Sequence, residues 1–457
     1  MGKPESNFYQ RINEIAFNKV HRELLSRRLN IISDKVKQVK KAYSDLELAR
    51  TRASFIKNKT LDNLDKYLVE FESNFTKRGG KVIWAQDKDE AISELEKIIE
   101  RKGAKNLLKG RSQIFEEIEI SESFENKGLH NIDIGDFIQN LAAQKSYHPI
   151  FSTLNQSPES ITLLLEKENI DCKELSPQQI VDLLNDKLGK YFQQSDVAIS
   201  GVNFLIADVG AAVIIDIEGG AGQGSSFSKT QILIAGIEEI IPNLADMDLF
   251  LHLYSSHSSG SIINAYTHLL SGPKQSEEYD GPEEMYVILL DNGRSEILAQ
   301  TNQRSALGCI KCGSCISVCP VYRNIGGHAY QSVYYGPIGS ITTPLRLGME
   351  SYKYLSFASP SAMECVSVCP VKIDFPKLLQ NNRTASIKLA APGKTEKLSI
   401  FFWKTAMLKR NKMDKGGAKL KNFMLRQFFK KSWGDRREMP VVAPKSFNQI
   451  WRDRKGI

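Results

Sequence analysis

The sequence predicts an α/β fold with a parallel sheet, preceded by helices and followed by a small helical cysteine domain and a basic helical tail. Three observations predict it. Strand-like and helix-like segments alternate between about residues 79 and 300, as in parallel sheets. Apolar residues near the start recur at helical spacing. Six of the seven cysteines lie between positions 309 and 369. At 457 residues, we expect two to three domains.

Residues 1–75 are expected to form an N-terminal helical region. The stretch is rich in charge, and its apolar positions fall three and four residues apart, as at Leu61, Leu64, Leu68 and Phe71. That spacing places apolar side chains along one face of a helix.

Residues 76–300 are expected to form the α/β domain. G-G-K-V-I-W-A (79–85) and G-A-K-N-L-L-K (103–109) have the composition of strands, and D-E-A-I-S-E-L-E-K-I-I-E between them has that of an amphipathic helix. Further strands are predicted at V-A-I-S-G-V-N-F-L-I-A-D, A-A-V-I-I-D-I, T-Q-I-L-I-A-G-I and M-Y-V-I-L-L. Helices joining consecutive strands imply parallel pairing.

Composition indicates a water-soluble globular protein. Hydrophobic residues make up 41% of the chain and charged residues 25%. The nearest approach to a membrane span, positions 197–217, is interrupted by Asp208 and Asp216 and is expected to form strand, turn and strand. Clustered cysteines without a leader segment predict a cytoplasmic protein.

The cysteine run C-I-K-C-G-S-C-I-S-V-C-P is the strongest motif. Cys309, Cys312, Cys315 and Cys319, followed by Pro320, give the spacing C-x2-C-x2-C-x3-C-P of bacterial-type ferredoxins. Zinc ribbons usually place their second pair a dozen or more residues away. A disulfide framework would leave an odd seventh cysteine, Cys172, which is expected to be a structural thiol. The run therefore predicts an iron–sulfur cluster within residues 301–385.

A second run supplies Cys365 and Cys369 in C-V-S-V-C-P. In two-cluster ferredoxins the last cysteine of each run binds the other run's cluster. By that rule one [4Fe–4S] cluster has a complete set of thiolates: Cys309, Cys312, Cys315 and Cys369. A second cluster would have Cys319 and Cys365, but Ala362 and Ser359 stand where two more cysteines are required. Its formation stays open, because Ser359, Ser361, His328 or a partner's cysteine would have to complete it.

Other polar residues of the α/β domain are candidate ligand sites. E-G-G-A-G-Q-G-S-S (218–226) follows a strand and could approach an anion through its backbone N–H groups, but a flexible turn is the favoured interpretation. Lys109 and Arg111, followed by Glu116 and Glu117 on a predicted helix, could form a pocket with Asp208 or Glu218. Solvated surface charges are the favoured interpretation there.

His148 and His257 are the histidines to consider as bases, since imidazole titrates near neutral pH. No catalytic partner lies near either in sequence, so structural or solvent-exposed roles are favoured. No flavin or nicotinamide motif occurs, and removing hydride from an organic acid needs such a carrier or an unusual cluster.

The net charge of +8 is concentrated in the first 60 residues and after about residue 394. Nucleic acid is not expected as a partner, because no nucleic-acid-binding motif is found. Leu398–Leu408, apolar around Trp403 with lysines at its edges, suits a helix lying on a membrane or on a partner protein. A helix that packs into a core is the favoured interpretation. The basic tail is placed at residues 386–457.

Several long segments resemble the lactate-utilisation protein B family. They include G-A-K-N-L-L-K-G-R-S-Q-I-F-E-E-I (103–118), D-I-G-D-F-I-Q (133–139), G-V-N-F-L-I-A-D-V-G (201–210), G-I-E-E-I-I-P (236–242), D-G-P-E-E-M-Y-V-I-L-L-D-N-G-R-S (280–295), the cysteine run with the residues after it (309–330), G-P-I-G (336–339) and P-K-S-F-N-Q-I-W (444–451). The α/β part is similar to the family's lactate-utilisation domain, of the fold group of coenzyme A transferases and sugar-phosphate isomerases.

The resemblance implies a three-protein system that oxidises L-lactate to pyruvate, with this chain as its iron–sulfur subunit. Electrons would arrive from a partner that performs the chemistry and leave to another carrier. The chain departs from the family at Ala362, usually cysteine, and at Asp208-Val209-Gly210 and Glu218-Gly219-Gly220, usually E-T-G and E-G-N. Those departures bear on the second cluster and on ligand binding by the α/β domain.

Two alternatives stay open. In one, the α/β domain is an enzyme acting on an acyl or phosphorylated small molecule, and the cluster is structural. In the other, the chain is a scaffold that assembles partners through its basic ends.

Overall fold

The structure is a computed structural model, in which the N-terminal part of the chain is helical. It describes residues 4–124, 127–131, 137–138, 141, 148, 150–151, 154, 156–172, 174–216, 219–264, 266–330, 332–389, 394–408, 417–430 and 438–456. The first four helices are α1 (Pro4–Ile15), α2 (Lys19–Lys40), α3 (Leu46–Asp62) and α4 (Leu64–Lys77). The side chains of Asn18 and Asp45 accept N–H bonds at the starts of α2 and α3. The predicted N-terminal helices are confirmed.

A six-stranded sheet forms the centre of the α/β domain. Its strand order is β1-β10-β7-β4-β2-β3, and every neighbouring pair is parallel. The strands are β1 (Lys81–Ala85), β2 (Leu107–Lys109), β3 (Leu129–Asn131), β4 (Val197–Gly201), β7 (Thr230–Gly236) and β10 (Glu284–Leu290). Strands β4 and β7 are buried along their whole length, which explains their continuous apolar runs. The predicted parallel sheet is confirmed.

A second, four-stranded sheet was not predicted. Its order is β8-β5-β6-β9, with β5 and β8 parallel and the other pairs antiparallel. Its strands are β5 (Phe204–Ile206), β6 (Ala211–Asp216), β8 (Ile240–Ile241) and β9 (Tyr266–Leu270). Two of them are only two and three residues long, and so short a run gives no usable alternation in sequence.

Helices cover the main sheet and connect its strands. They are α5 (Lys88–Lys102), α6 (Gln113–Glu117), α7 (Ile120–Ser123), α8 (Pro158–Lys167), α9 (Pro177–Gln193), α10 (Gly220–Phe227), α11 (Leu244–Ser258) and α12 (Arg294–Ala299). One apolar core includes Ile199, Ile234 and Ile288 with residues of α5 and α6, and a second includes Leu233 and Leu289 with residues of α4. Alternate residues of one strand thus enter different cores, as the two-residue period of a strand requires.

The glycine-rich segment is a helix, so the expected turn is wrong. Within 218–226, Glu218 lies outside the described residues, and α10 begins at Gly220. Asp216 accepts the Ala221 N–H at 2.9 Å at the start of the helix. A Cβ on Gly222 would lie 1.9 Å from the His268 ring, so this glycine permits close packing against β9.

The cysteine domain is built from short helices. After a 3₁₀ turn at Arg304–Gly308 come α13 (Ser314–Val318), α14 (Pro320–Ile325), a 3₁₀ turn at His328–Tyr330, α15 (Gly336–Leu347), α16 (Met349–Ala358), α17 (Glu364–Val368) and α18 (Phe375–Leu389). The cysteines share one core with Phe8, Leu25 and Leu29 of the N-terminal helices. The N-terminal helices therefore help to cover the cysteine domain.

Residues 387–457 form a separate compact unit. Its helices are α19 (Lys394–Met407), α20 (Gly417–Met424), a π-helical turn at Leu425–Phe429 and α21 (Phe447–Lys455). Phe401, Phe402 and Trp403 are each more than half exposed, so the favoured prediction that this helix packs into a core is wrong. Among the described residues, no helix combines the length and the apolar character needed to span a membrane.

Candidate iron–sulfur centre

The first cysteine loop has a backbone shaped by two residues in the left-handed region. Lys311 has φ 57° and Gly313 has φ 74°, and α13 begins directly after Gly313. The Lys311 N–H donates to the Cys309 sulfur at 3.4 Å. The loop thus turns sharply after each of its first two cysteines and presents a backbone N–H to the first sulfur.

The second run repeats this backbone fifty positions later, although it lacks two of the cysteines. Ser361 and Met363 have φ 54° and 65°, at the places of Lys311 and Gly313. The Ser361 N–H donates to the Ser359 oxygen at 3.4 Å, as the Lys311 N–H does to Cys309. Non-glycine residues adopt positive φ only where the surroundings require it. The second loop therefore keeps the shape of a cluster-binding loop.

The six cysteines fall into two neighbouring groups. Burial first, and then the nearby thiols of Cys309, Cys312, Cys369 and Cys365, raise the pKa of Cys315 well above its ordinary value. Burial raises the pKa of Cys365 to about 11, and Cys319 is the nearby thiol that contributes most to this rise. Cys309, Cys312, Cys315 and Cys369 all line one cavity, while Cys319 and Cys365 lie near each other beside this group.

The first group suits the cluster that the spacing predicts. Its four cysteines line one cavity of about 60 Å³, and all are free thiols. No three His, Cys, Asp or Glu side chains of the described residues lie close enough together to bind a single metal ion. A four-iron cluster does not need that closeness, because each thiolate binds a different iron. The donor set fits such a cluster, and the assignment of individual ligands stays a prediction.

The second group is incomplete in the described residues. Cys319 accepts a hydrogen bond from the Tyr330 hydroxyl, and Cys365 is buried. Ala362 is exposed and offers no donor atom, while Ser359 offers its oxygen at the place that Cys309 has in the first loop. The side chain of His328 lies outside the described residues.

Two cationic side chains from the N-terminal helices, Arg50 and Lys40, lie close to the first group of cysteines. Arg50 donates to the backbone carbonyls of Cys369 at 2.9 Å and Val366 at 3.0 Å. Lys40 is near enough to Cys312 and Cys369 for their charges to act on it, while burial lowers its pKa to about 8. Both side chains place positive charge beside the predicted ligands of the first cluster.

A buried ionic network joins this loop to the α/β domain, and sequence reasoning missed most of it. The Lys311 ammonium lies 2.5 Å from Glu239 and 3.4 Å from Glu238. Arg294 connects Glu238 to Glu117, donating to Glu238 at 2.5 Å and to the two Glu117 oxygens at 2.8 and 3.0 Å. The signal that could have revealed it is the pair of glutamates inside the otherwise apolar G-I-E-E-I-I-P.

Three charged side chains that were predicted to be solvated are instead buried or hydrogen-bonded within the protein. Glu117 is buried and also accepts a hydrogen bond from the Tyr334 hydroxyl at 2.6 Å; Arg294 and Arg346 hold its pKa well below the usual range despite its burial. Lys109 is buried with its ammonium 5.5 Å from the centre of the Phe115 ring. Arg111 donates to the backbone carbonyls of Ile150 and His148, both at 2.6 Å. The favoured prediction of surface charges is wrong for these residues, whereas Glu116 is exposed.

The remaining candidates have structural surroundings. Asp208 is exposed and accepts the Leu244 N–H at the start of α11. His148 accepts the N–H groups of Ile150 and Phe151 at 3.2 Å, and burial lowers its pKa to about 3. Burial lowers the pKa of His257 to about 3 as well. Cys172 is buried in a small apolar core, as predicted.

Family models match both parts of the chain. A model described as LUD domain matches residues 68–290, and one described as 4Fe-4S dicluster domain matches residues 305–373. Together they span the parallel sheet and all six clustered cysteines.

Curated relatives match most of the chain. A protein named Lactate utilization protein B from Bacillus velezensis is 36% identical over 380 residues, covering 82% of this chain and 79% of the relative. Another of that name, from Shouchella clausii, is 33% identical, with 89% and 88% covered. A solved DUF162 family protein from Deinococcus radiodurans shares 11% identity over 50% of this chain and 98% of its own, with a TM-score of 0.29. So low a score carries no argument.

Proposed function

The chain belongs to the lactate utilization protein B family, and on that premise we propose that it is the iron–sulfur electron-transfer subunit of a system that oxidises L-lactate to pyruvate. The observation that carries the proposal is the convergence of Cys309, Cys312, Cys315 and Cys369 on one buried cavity. A [4Fe–4S] cluster held there accepts and releases single electrons.

The chain's own residues would bind the cluster and set its surroundings. Cys312, Cys315 and Cys369 are buried and Cys309 is partly buried, which limits the access of water. The N–H groups of Lys311 and Ile373 donate to the sulfurs of Cys309 and Cys369 at 3.4 Å. Such bonds and nearby positive charge favour the more reduced, more negative state. Because burial raises the pKa values of the cysteine thiols, iron must displace their protons when it binds.

The oxidation of lactate itself is assigned to a partner subunit. The sequence contains no dinucleotide fingerprint, and two-electron removal from a hydroxy acid requires a hydride-accepting cofactor or an equivalent. In this proposal one partner delivers electrons to the chain and another carrier accepts them.

The test is a cysteine substitution in the full-length chain, purified without oxygen. We expect Cys312→Ala to lose the visible absorbance of the first cluster and, when mixed with the partner subunits, lactate-dependent electron transfer. Cys172→Ala, outside the cysteine domain, is the matched control and should keep both. Loss of the absorbance with full lactate oxidation retained would overturn the electron-transfer role.

A second cluster is proposed at the second loop, with Cys319, Cys365 and the Ser359 oxygen as its three protein ligands. The supporting observation is the retained loop backbone, in which Ser359 accepts the same N–H that Cys309 accepts in the first loop. Ala362 leaves the fourth position without a side-chain ligand, which suits a three-iron cluster or one iron held by another molecule.

The basic tail is proposed to dock on an anionic membrane surface. Residues 387–457 contain 19 Lys and Arg against 5 Asp and Glu. Helix α19 exposes Phe401, Phe402 and Trp403 between Lys397 and Lys404. Aromatic side chains flanked by lysines are typical of helices that lie in the headgroup region.

Sedimentation with lipid vesicles tests the docking. We expect binding to vesicles that contain phosphatidylglycerol, weakening with salt, and little binding to neutral phosphatidylcholine. The double variant Phe402→Glu/Trp403→Glu should abolish it, and Tyr279→Glu, at a fully exposed position of the α/β domain, should not. Equal binding to neutral vesicles, or an unaffected double variant, would overturn the proposal.

A further inference from the structure

A second cavity lies where strands of the α/β domain meet the first cysteine loop. Its volume is about 220 Å³. Arg111 follows the end of β2, Asn203 follows β4, and Glu239 follows β7, so the cavity lies at the carboxyl ends of parallel strands. Open α/β sheets bind their ligands at that edge. The cavity is smaller than the roughly 300–1,000 Å³ of pockets for drug-sized ligands, so a small molecule suits it.

The charged side chains that line the cavity leave an excess of one positive charge. The cations are Lys57, Arg111 and Lys311, and the acids are Asp216 and Glu239. Both acids already accept hydrogen bonds from the protein, Asp216 from the Ala221 N–H and Glu239 from the Gly236 N–H and Lys311. The excess of cationic donors over acids at the wall favours a ligand with acceptor oxygens.

Two of the residues that line this cavity carry buried donors. Asn264 is 7% exposed, its oxygen is bonded to the Ser259 hydroxyl, and its Nδ2 has no hydrogen-bond partner in the described part of the chain. Buried amide donors are rarely left unbonded in proteins. The Lys57 ammonium, 2% exposed, donates to the carbonyls of Glu238 at 2.7 Å and Ile240 at 3.2 Å, which uses two of its three N–H groups.

We infer that this cavity binds a small monocarboxylate, with Asn264 and Lys57 donating to its oxygens. A carboxylate supplies acceptor oxygens for both donors. The choice of a three-carbon 2-hydroxy or 2-oxo acid, L-lactate or pyruvate, rests on the proposed function. The wall of the cavity includes Cys309, Ile310 and Lys311, so the bound acid would adjoin the loop that is predicted to hold the first cluster.

Calorimetric titration of the anaerobically purified full-length chain tests the inference. L-lactate, pyruvate and inorganic phosphate are titrated separately, and the visible spectrum of the same sample reports the cluster. We expect one saturable site for L-lactate or pyruvate and much weaker binding of phosphate. Asn264→Ala and Lys57→Met should each weaken carboxylate binding at least tenfold, because a hydrogen bond to a charged group is lost.

Matched controls come from the same helix as Lys57. Asn58 and Lys59 are exposed on α3, so Asn58→Ala and Lys59→Met should bind as the unsubstituted chain does. If Lys57→Met fails to fold, Asn264→Ala still decides. No carboxylate binding, equal binding of phosphate, or unchanged affinity in Asn264→Ala would overturn the inference. If the cluster spectrum is intact but no carboxylate binds, only the inferred carboxylate site is overturned. If a carboxylate binds but the chain holds no cluster, only the proposed electron-transfer function is contradicted.

Discussion

Lys311 joins the first cysteine loop to the α/β domain through Glu239, with 2.5 Å between the ammonium and the carboxylate. The lysine follows Cys309 by two positions, in the left-handed backbone conformation, while its own N–H donates to the Cys309 sulfur. One residue therefore shapes the loop through its backbone and attaches the loop to the sheet through its side chain.

Removing that attachment should destabilise the protein. Lys311→Met leaves Glu238 and Glu239 buried with one fewer cation, and breaking a buried pair costs about 3–5 kcal/mol. Lys372→Met is the control, since Lys372 also has a positive φ and lies three residues after Cys369, but pairs with the exposed Glu47. That change should cost less than about 1 kcal/mol. Denaturant unfolding measures both; equal losses would show that the Lys311 pair adds no particular stability.

The positive charge of Lys40 should raise the reduction potential of the first cluster. Lys40→Met is expected to lower the midpoint potential, because the reduced cluster carries one more negative charge. For a one-electron couple, about 1 kcal/mol corresponds to roughly 40 mV. Lys41→Met, at the exposed neighbouring position, is the control. Redox titration followed by EPR gives both values, and identical potentials would contradict this role of Lys40.

Acid should destabilise the fold through its two buried histidines. Burial lowers the folded-state pKa of His148 and His257 to about 3, whereas the unfolded chain binds these protons near pH 6.5. Their contribution to stability is therefore full above pH 6.5 and is lost as the pH falls toward 3. Between pH 7 and 5 each histidine should lower the free energy of unfolding by about 2 kcal/mol. His257→Asn should remove the acid-induced loss of stability that is due to His257, so that the difference in unfolding free energy between pH 8 and pH 5 becomes smaller. An unchanged difference would refute this role of His257.

Ser359 provides a test of the second cluster. We expect the unsubstituted chain to contain more than four irons, and Ser359→Ala to fall to about four, because the second loop loses one of its three ligands. Ser361→Gly is the control, since glycine readily adopts the positive φ of Ser361 and the backbone N–H remains. Iron and sulfide analysis decides; about four irons in all three proteins would mean that no second cluster forms.

The sequence predicted those parts of the fold that rest on local patterns. The apolar runs of β4, β7 and β10 and the spacing of the cysteines could be interpreted without knowing their neighbours. The turn predicted for the glycine-rich segment is wrong, because Gly222 permits close packing against His268, forty-six residues away, and does not form a turn. Glu117 could not be assigned, because its partners Arg294 and Arg346 are distant in sequence.

The second cysteine loop shows the same limit of sequence-based prediction within the site. Cysteine spacing alone showed two missing ligands at Ser359 and Ala362. The loop nevertheless keeps positive φ at Ser361 and Met363. This backbone conformation could not be predicted, because residues other than glycine give no sequence signal for it.

Iron and acid-labile sulfide per chain, measured after strictly anaerobic purification together with EPR of the reduced sample, tests the central claim most directly. We predict at least four irons and four sulfides per chain, and the loss of about four irons and of the S = 1/2 signal of the first cluster in Cys312→Ala. A chain purified in this way without iron, or one whose iron content and EPR signals are unchanged in Cys312→Ala, would contradict this prediction.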